Sequence, residues 1–464
     1  MPEYHAEPYI YLPQVNHSSV LVAWGAFYFR VRSGGRMKLV DEDDLDHIHP
    51  PRKDTIGAQS APYGPARVEV FDGSGALVTA ASTHETNHCW VTDLAPDTAY
   101  TYRLIVKDEL WADGQRWDWS PEHKALVPGR TYVNAFKTNP HPRSPAPSLE
   151  FAIIGDFGVG VKDPSAKRPQ QYVANALVAA AETHDIRFLL TTGDNIYAGK
   201  HFFGIVPIAE HGDEDDDWFF TYFQPYRYII NRICTYPSIG NHDTGETEEQ
   251  DDRDQVEDNF YIRERLSGPD AASRASLDPG MFYRFAFGST IELVCLDTSK
   301  ERFFGKRLFD HPNHQSFIES AFAAGEGSPR WRIPFCHHPP FSAGPRHHNT
   351  ESLHRLIPLF QRAGVRAVFS GHEHNFQHSV VDGIHYFVSG AAGKSRSGTP
   401  DEFVEAQTQS WSAKPHFLHV RIAEDAMHVR AIGGVTGVGD PLAEIERRNP
   451  AGTVMKEPIV IRLV

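Results

Sequence analysis

The chain has 464 residues, room for two or three domains with full hydrophobic cores, and is too long for a small stapled scaffold. Its 40% apolar and 23% charged residues exclude disorder as the main state, and a formal charge of −15 repels polyanions, so no nucleic-acid partner is expected. No run reaches the roughly 18 apolar residues of a membrane span. The four cysteines (Cys89, Cys234, Cys295, Cys336) are scattered without CxxC spacing, which favours buried thiols and a reducing compartment. No basic and then apolar leader follows Met1, so a cytoplasmic location is expected.

In chain order, the first 138 residues carry short alternating runs, at 19–24 and 67–71, separated by turn residues such as Asp72-Gly73-Ser74-Gly75. This predicts an all-β unit. Between 32 and 65 the periodicity fades and charges and prolines accumulate, which marks an insertion without an evident role. Ala95-Pro96-Asp97 then turns into a strand with Tyr100, Tyr102 and Leu104 on one face. Residues 139–148, NPHPRSPAPS, hold four prolines in ten and read as an extended linker.

From 149 to 464 apolar β runs alternate with helical patterns. A buried strand at 151–154 precedes a helix at 170–182 with Val173, Leu177, Val178 and Ala181 on one face, and a second strand follows at 188–190. Further strands are expected at 291–296, 333–336, 365–369 and 386–388, with a hairpin over 416–432 turned at 423–425. The βαβ opening predicts an α/β domain with at least one partly parallel sheet.

The chain has 26 histidines, and their positions decide the chemistry, because histidine is the commonest metal ligand. Directly after the strands come Gly155-Asp156-Phe157-Gly158, Gly193-Asp194-Asn195-Ile196-Tyr197, Gly240-Asn241-His242-Asp243, Cys336-His337-His338 and Gly371-His372-Glu373-His374. The carboxyl ends of strands are where α/β sheets build their ligand crevice, so these loops can converge. Asp156, Asp194 and Tyr197 offer anionic oxygens, Asn241 a neutral one, and His337, His372 and His374 imidazole nitrogens. Seven donors exceed one tetrahedral ion and suit two ions that share a ligand, an arrangement that clamps a phosphate and acidifies a water for its hydrolysis.

These residues resemble the purple acid phosphatases among the binuclear metallophosphoesterases, whose pattern is GDxG, GDxxY, GNH[DE], VxxH and GHxH. Gly158 and Tyr197 together are the telling pair, since other metallophosphoesterases typically carry histidine at the first of these positions. The resemblance implies an αββα metallophosphoesterase sandwich with mixed sheets. It also implies a ferric ion on Asp156, Tyr197 and His374, a divalent ion (Zn, Mn or Fe) on Asn241, His337 and His372, and Asp194 between them. It further implies that His242 contacts the substrate phosphate, with Asp243 orienting its ring. The VxxH element departs as Pro334-Phe335-Cys336-His337, and adjacent His338 competes with His337; the family spacing to Pro339 favours His337. His347 and His348 both lie near the spacing at which the family places a further histidine, able to bind phosphate or protonate the leaving group, with His347 preferred. The leading unit, with its Leu-x-Pro turn before Tyr-x-Tyr, resembles a fibronectin type III sandwich.

The implied activity is hydrolysis of a small phosphate monoester by metal-bound hydroxide, without a phosphoenzyme. A phosphodiesterase or nucleotide hydrolase using the same centre is the alternative, and a non-catalytic binding protein is a remoter one. The amides of 389–393 read equally as site lining or as a tight turn. Lys394 and Arg396 read as surface cations, and the acidic patch 213–217 as a solvated turn. Oligomeric state is not readable from these features.

Overall fold

Short alternating segments in the first part of the chain form two larger antiparallel sheets and a two-stranded one, Gln115–Ser120 with Ala125–Thr131, because a period of two leaves each strand one apolar face to bury. Tyr4–Val15 pairs with Val20–Val31, which also pairs with Met37–Leu39 and His88–Val91. The second sheet runs in the order Ala135–Lys137, Ala99–Val106, Ala66–Phe71, Leu77–Thr83. The hairpin between the last two turns on Asp72, whose Oδ1 accepts the N–H groups of Ser74 and Ala76 at 2.8 and 3.0 Å. Tyr100, Tyr102 and Leu104 are buried as their spacing predicts, and the Tyr100 hydroxyl accepts the Ala95 N–H at 2.8 Å.

The computed structural model describes residues 3–40, 42–52, 56–146, 148–162, 169–197, 200–202, 206–208, 218–244, 253–269, 275–276, 280–300, 306–325 and 328–463. The acidic patch 213–217 lies outside the described residues. The 32–65 segment supplies the Met37–Leu39 strand and a small cluster of Val40, Leu45 and Ile48. It also docks on the later part of the chain: Ala58 N–H donates to Asp258 O at 3.1 Å and the Tyr261 hydroxyl to Gly57 O at 3.0 Å.

After the proline-rich segment, Ser148–Ile154 runs parallel to Ile186–Thr191, and the crossover between them contains the helix Gln170–Thr183. On its other side it pairs antiparallel with His416–Ala423, giving a six-stranded mixed sheet in the order Cys234–Tyr236, Ile186–Thr191, Ser148–Ile154, His416–Ala423, Ala426–Gly433, Ile459–Arg462. A second mixed sheet has ten strands. Its centre is parallel: Ile291–Cys295, Trp331–Phe335, Ala367–Ser370 and Ile384–Ser389, in that order. The sheets face each other through rings, with Tyr236 stacked on Phe285 at 3.7 Å and Phe188 edge-on to Phe285 at 5.4 Å. Gln170–Thr183 packs on the first sheet, and Pro312–Ala321 and Ile357–Arg362 cover the second. Layering of helix, sheet, sheet and helix is thereby complete.

Pro334 occupies an interior strand despite lacking an N–H. Ladder pairing there is short on one side: Trp331–Phe335 pairs with Ile291–Cys295 over five residues but with Ala367–Ser370 only at Phe335↔Phe369. A proline is tolerated where the ladder is interrupted. The two units share one continuous core instead of hanging from a hinge. Tyr9 packs on Phe223 at 4.5 Å, and buried Glu7 pairs with buried Arg227 at 2.5 Å, an ion pair that dry surroundings make costly to break from either side.

Candidate metal centre

The five glycine- and histidine-bearing loops leave neighbouring strand ends and meet over the crevice between the sheets. Several turn abruptly. Asp156, Asp194 and His372 hold φ values of 54°, 52° and 70°, the left-handed region that costs a residue with a side chain on the order of 1–3 kcal/mol and clusters at functional sites. Gly158 is needed for close approach, since a β-carbon there would lie 2.3 Å from Asn195 O. Its N–H donates to Asp194 O at 3.2 Å and its carbonyl accepts the Tyr197 N–H at 3.1 Å. That clasp between the first two loops sets the Tyr197 ring beside Asp156, which is why this glycine and this tyrosine occur together.

The donors form two triangles. In the first, the Tyr197 hydroxyl lies 3.3 Å from Asp156 Oδ1 and 3.4 Å from His374 Nε2, and His374 Nε2 lies 3.3 Å from Asp156 Oδ1. In the second, His337 Nε2 lies 2.9 Å from Asn241 Oδ1 and 3.0 Å from His372 Nδ1. Asp194 joins them: its Oδ1 is 3.4 Å from His337 Nε2, and it clusters with Asp156 and His374. Donors held about 2.1 Å from one ion stand about 3.0–3.4 Å apart in octahedral or tetrahedral geometry, so the first triangle, and the two separations at His337 in the second, have about the size that suits a cation. The structure therefore brings all seven sequence-predicted donors together.

Electrostatics favour the same reading. Burial and the neighbouring Asp194 charge raise Asp156 well above the ordinary carboxylate range. Burial would raise Asp194 too, but His337 and His242 outweigh it and hold this carboxylate below its usual value. Burial, then Arg396, pushes His374 down to about 3, and burial drives His372 well below its ordinary value. Burial thus favours the neutral form of the His372 and His374 imidazoles, the form that can bind a cation, whereas Asp194 and Asp156 raise His337 against the effect of its burial.

Outer contacts fix the donors. His337 Nδ1 lies 2.7 Å from Thr192 O, which directs Nε2 inward, as ligating histidines require. His338 turns aside, with Nδ1 3.0 Å from Thr298 Oγ1, and so resolves its competition with His337. His242 N–H donates to Asp194 Oδ1 at 3.0 Å, and its ring lies 4.5 Å from that of Tyr197. Asp243 accepts N–H groups from Gly240 at 2.7 Å, Asn195 at 2.8 Å and Ile196 at 3.1 Å, and so positions His242 through the backbone of its loop. Its carboxyl is raised to about 7 by burial and the Asp194 charge.

Two expectations need correction. His347 reaches the pocket, its ring 3.9 Å from that of His372 and its N–H held by Glu373 Oε2 at 2.7 Å. His348 points to the outside, where Nε2 meets exposed Asp401 at 3.0 Å, so the adjacent pair is not interchangeable. Lys394 and Arg396 are pocket residues and not bystanders. The Lys394 ammonium sits 3.8 Å over the Tyr197 ring, and Arg396 pairs with buried Glu373 at 3.2 Å and reaches His374 Nδ1 at 3.0 Å. Arg346, which the sequence reading passed over, joins them in lining a cavity of about 390 Å³. Its place beside His347 was the available signal. In the 389–393 turn, Gly390 and Ala392 donate to Asn375 O and Gly155 O, so this segment buttresses the ligand loops.

Comparisons with known proteins agree with this geometry. The Calcineurin-like phosphoesterase family matches residues 149–376. Purple acid phosphatase 3 of Arabidopsis thaliana is 24% identical over 303 residues, covering 61% of this chain and 74% of that protein. Tartrate-resistant acid phosphatase type 5 of Mus musculus is 22% identical over 315 residues, covering 62% and 88%. The solved structure of PhoD superposes over 98% of this chain and 94% of that one at 14% identity, with a TM-score of 0.63. A purple acid phosphatase from yellow lupin (Lupinus luteus) seeds superposes over 98% and 74% at 16% identity, with a TM-score of 0.56. Donor set, fold and relatives lead to one conclusion: this chain is a metal-dependent phosphoric ester hydrolase with a metallophosphoesterase domain similar to that of the purple acid phosphatases.

Proposed function

We propose that the chain hydrolyses small phosphate monoesters, with a ferric ion on Asp156, Tyr197 and His374, a divalent ion (Zn, Mn or Fe) on Asn241, His337 and His372, and Asp194 shared. The observation that carries this reading is the pair of donor triangles joined at Asp194 beneath a mouth lined by Arg346, Lys394 and Arg396. When bound, such a pair of ions polarises the phosphoryl group and lowers the pKa of a water.

The chain's own residues do the rest. Three cations at the mouth favour the dianionic terminal phosphate of a monoester over the single charge of a diester. His242 and His347 line the same pocket, which supports a reading in which His242 hydrogen-bonds the phosphate and His347 bonds the phosphate or the leaving-group oxygen. The unit 1–138 is read as a fibronectin type III-like sandwich, supported by the Tyr100 bond to the preceding turn. The unit 149–464 is read as the catalytic domain.

Protein reconstituted with iron plus zinc or manganese is expected to cleave an aryl phosphate monoester faster than the matching diester. Faster diester cleavage would replace this reading with a phosphodiesterase. For the ferric assignment, the oxidised protein is expected to absorb broadly in the visible and Tyr197→Phe to lose that band.

A further inference from the structure

Glu150, His184 and His419 bring one carboxylate and two imidazoles together near the opposite end of the strand that leads to Asp156. Glu150 precedes Asp156 by six residues, roughly 20 Å at the rise of a strand. His419 lies on the antiparallel neighbour, in the register Ala152↔His419 and Glu150↔Arg421, so it leaves the sheet on the same face as Glu150. His184 follows the helix Gln170–Thr183, its N–H donating to Ala180 O at 2.8 Å, and stands two residues before the strand that pairs with Glu150 through Ile186.

Three separate elements thus aim one donor each at a common point. His419 Nε2 lies 2.8 Å and His184 Nδ1 3.4 Å from the same oxygen, Glu150 Oε2, the imidazole centroids are 4.5 Å apart, and the three donor atoms lie within 4.8 Å of one another. Donors on a tetrahedral zinc ion stand about 3.3–3.5 Å apart, a spacing this triangle brackets. The second carboxylate oxygen faces Arg421 Nε at 3.5 Å, which leaves Oε2 to the centre. The nearby Arg430 is paired with Glu444 at 2.9 Å, so its charge is compensated. His419 is buried but His184 is one-third exposed, and a cavity of about 430 Å³ adjoins both, giving an ion a way in and space for a water as fourth ligand.

We infer that Glu150, His184 and His419 form a separate metal site that takes one zinc-class divalent ion and clamps the end of the Gln170–Thr183 helix to the sheet. It stands apart from the reaction and does not depend on the substrate reading.

The test uses the holoenzyme, loaded with iron and its divalent partner, desalted and equilibrated with micromolar zinc alone. Wild type is expected to gain one zinc per chain more than His184→Asn and His419→Gln, with iron content and turnover unchanged, and to gain thermal stability from zinc that the variants do not. Equal uptake by wild type and variants, or no uptake by wild type, overturns the inference. Zinc uptake with matching loss of iron overturns it too, because the ion then sits in the catalytic centre. If His419→Gln fails to fold, His184→Asn, altered at a partly exposed ring, decides alone.

Discussion

The strand Ser148–Ile154 leads to a carboxylate–histidine cluster at each end, and the two clusters are built differently. Beyond the carboxyl end, Asp156 is fully buried in a left-handed conformation, among donors supplied by several tight loops. Toward the other end, Glu150 lies within the regular strand, is partly exposed and has Arg421 beside its second oxygen. The first arrangement crowds buried donors and backbone strain into one crevice, where the chain's own histidines and N–H groups offset only part of the charge and cations would offset the rest. The second is nearly satisfied by the chain itself. Local conflict, more than the residue types present, distinguishes a reactive centre from a staple.

Perturbing the shared ligand should break the comparison hardest. Asp194→Asn is expected to lower the content of both ions and reduce turnover by more than the roughly 10–100-fold that follows loss of an outer partner, checked by metal analysis and an aryl phosphate assay. His242→Ala should keep both ions yet lose turnover by about 10²-fold or more if, as proposed, it bonds the substrate phosphate; loss of metal would move His242 into the ligand set. His347→Ala should cost about tenfold or more in kcat/KM and His348→Ala less than about twofold, a direct kinetic reading of which ring faces the pocket.

The smallest effect concerns acid stability. Buried His416, with Nε2 3.1 Å from Ser389 Oγ and Nδ1 2.9 Å from Lys414 O, is pushed by burial from 6.5 down to about 4. Its neutral form is therefore favoured by folding: the contribution is full above pH 6.5 and is lost as pH falls through about 4. The loss amounts to roughly 3 kcal/mol for one such ring. His416→Gln is expected to flatten the fall in denaturant stability between pH 6.5 and 4 relative to wild type.

Much of this is legible in the residue order, and the reason is local. A buried strand, a glycine and a ligand side chain occupy consecutive positions, so 151–158 and 367–374 each declare an element and its chemistry in one short window. The helix expected over 170–182 is observed as Gln170–Thr183, and the hairpin turned at 423–425 as His416–Ala423 with Ala426–Gly433. Less visible were features whose partners lie far apart. Lys394 reads as a surface cation until the fold sets it over Tyr197, and His347 and His348 differ only once Glu373 holds the backbone of one and Asp401 the ring of the other. Docking of the 32–65 segment on Asp258 and Tyr261 likewise has no local signature.

Residue order alone determined the alternation of strands and helix and, with the family resemblance choosing His337 over His338, pointed to seven candidate donors and the kind of chemistry they support, because these follow from periodicity, ligand type and motif. Tertiary structure decided which cations line the pocket, which of two adjacent histidines turns inward, and that Glu150, His184 and His419 meet across 269 positions. Those outcomes depend on strand register and loop direction, which are set by packing over the whole core and leave no mark on the neighbouring residues.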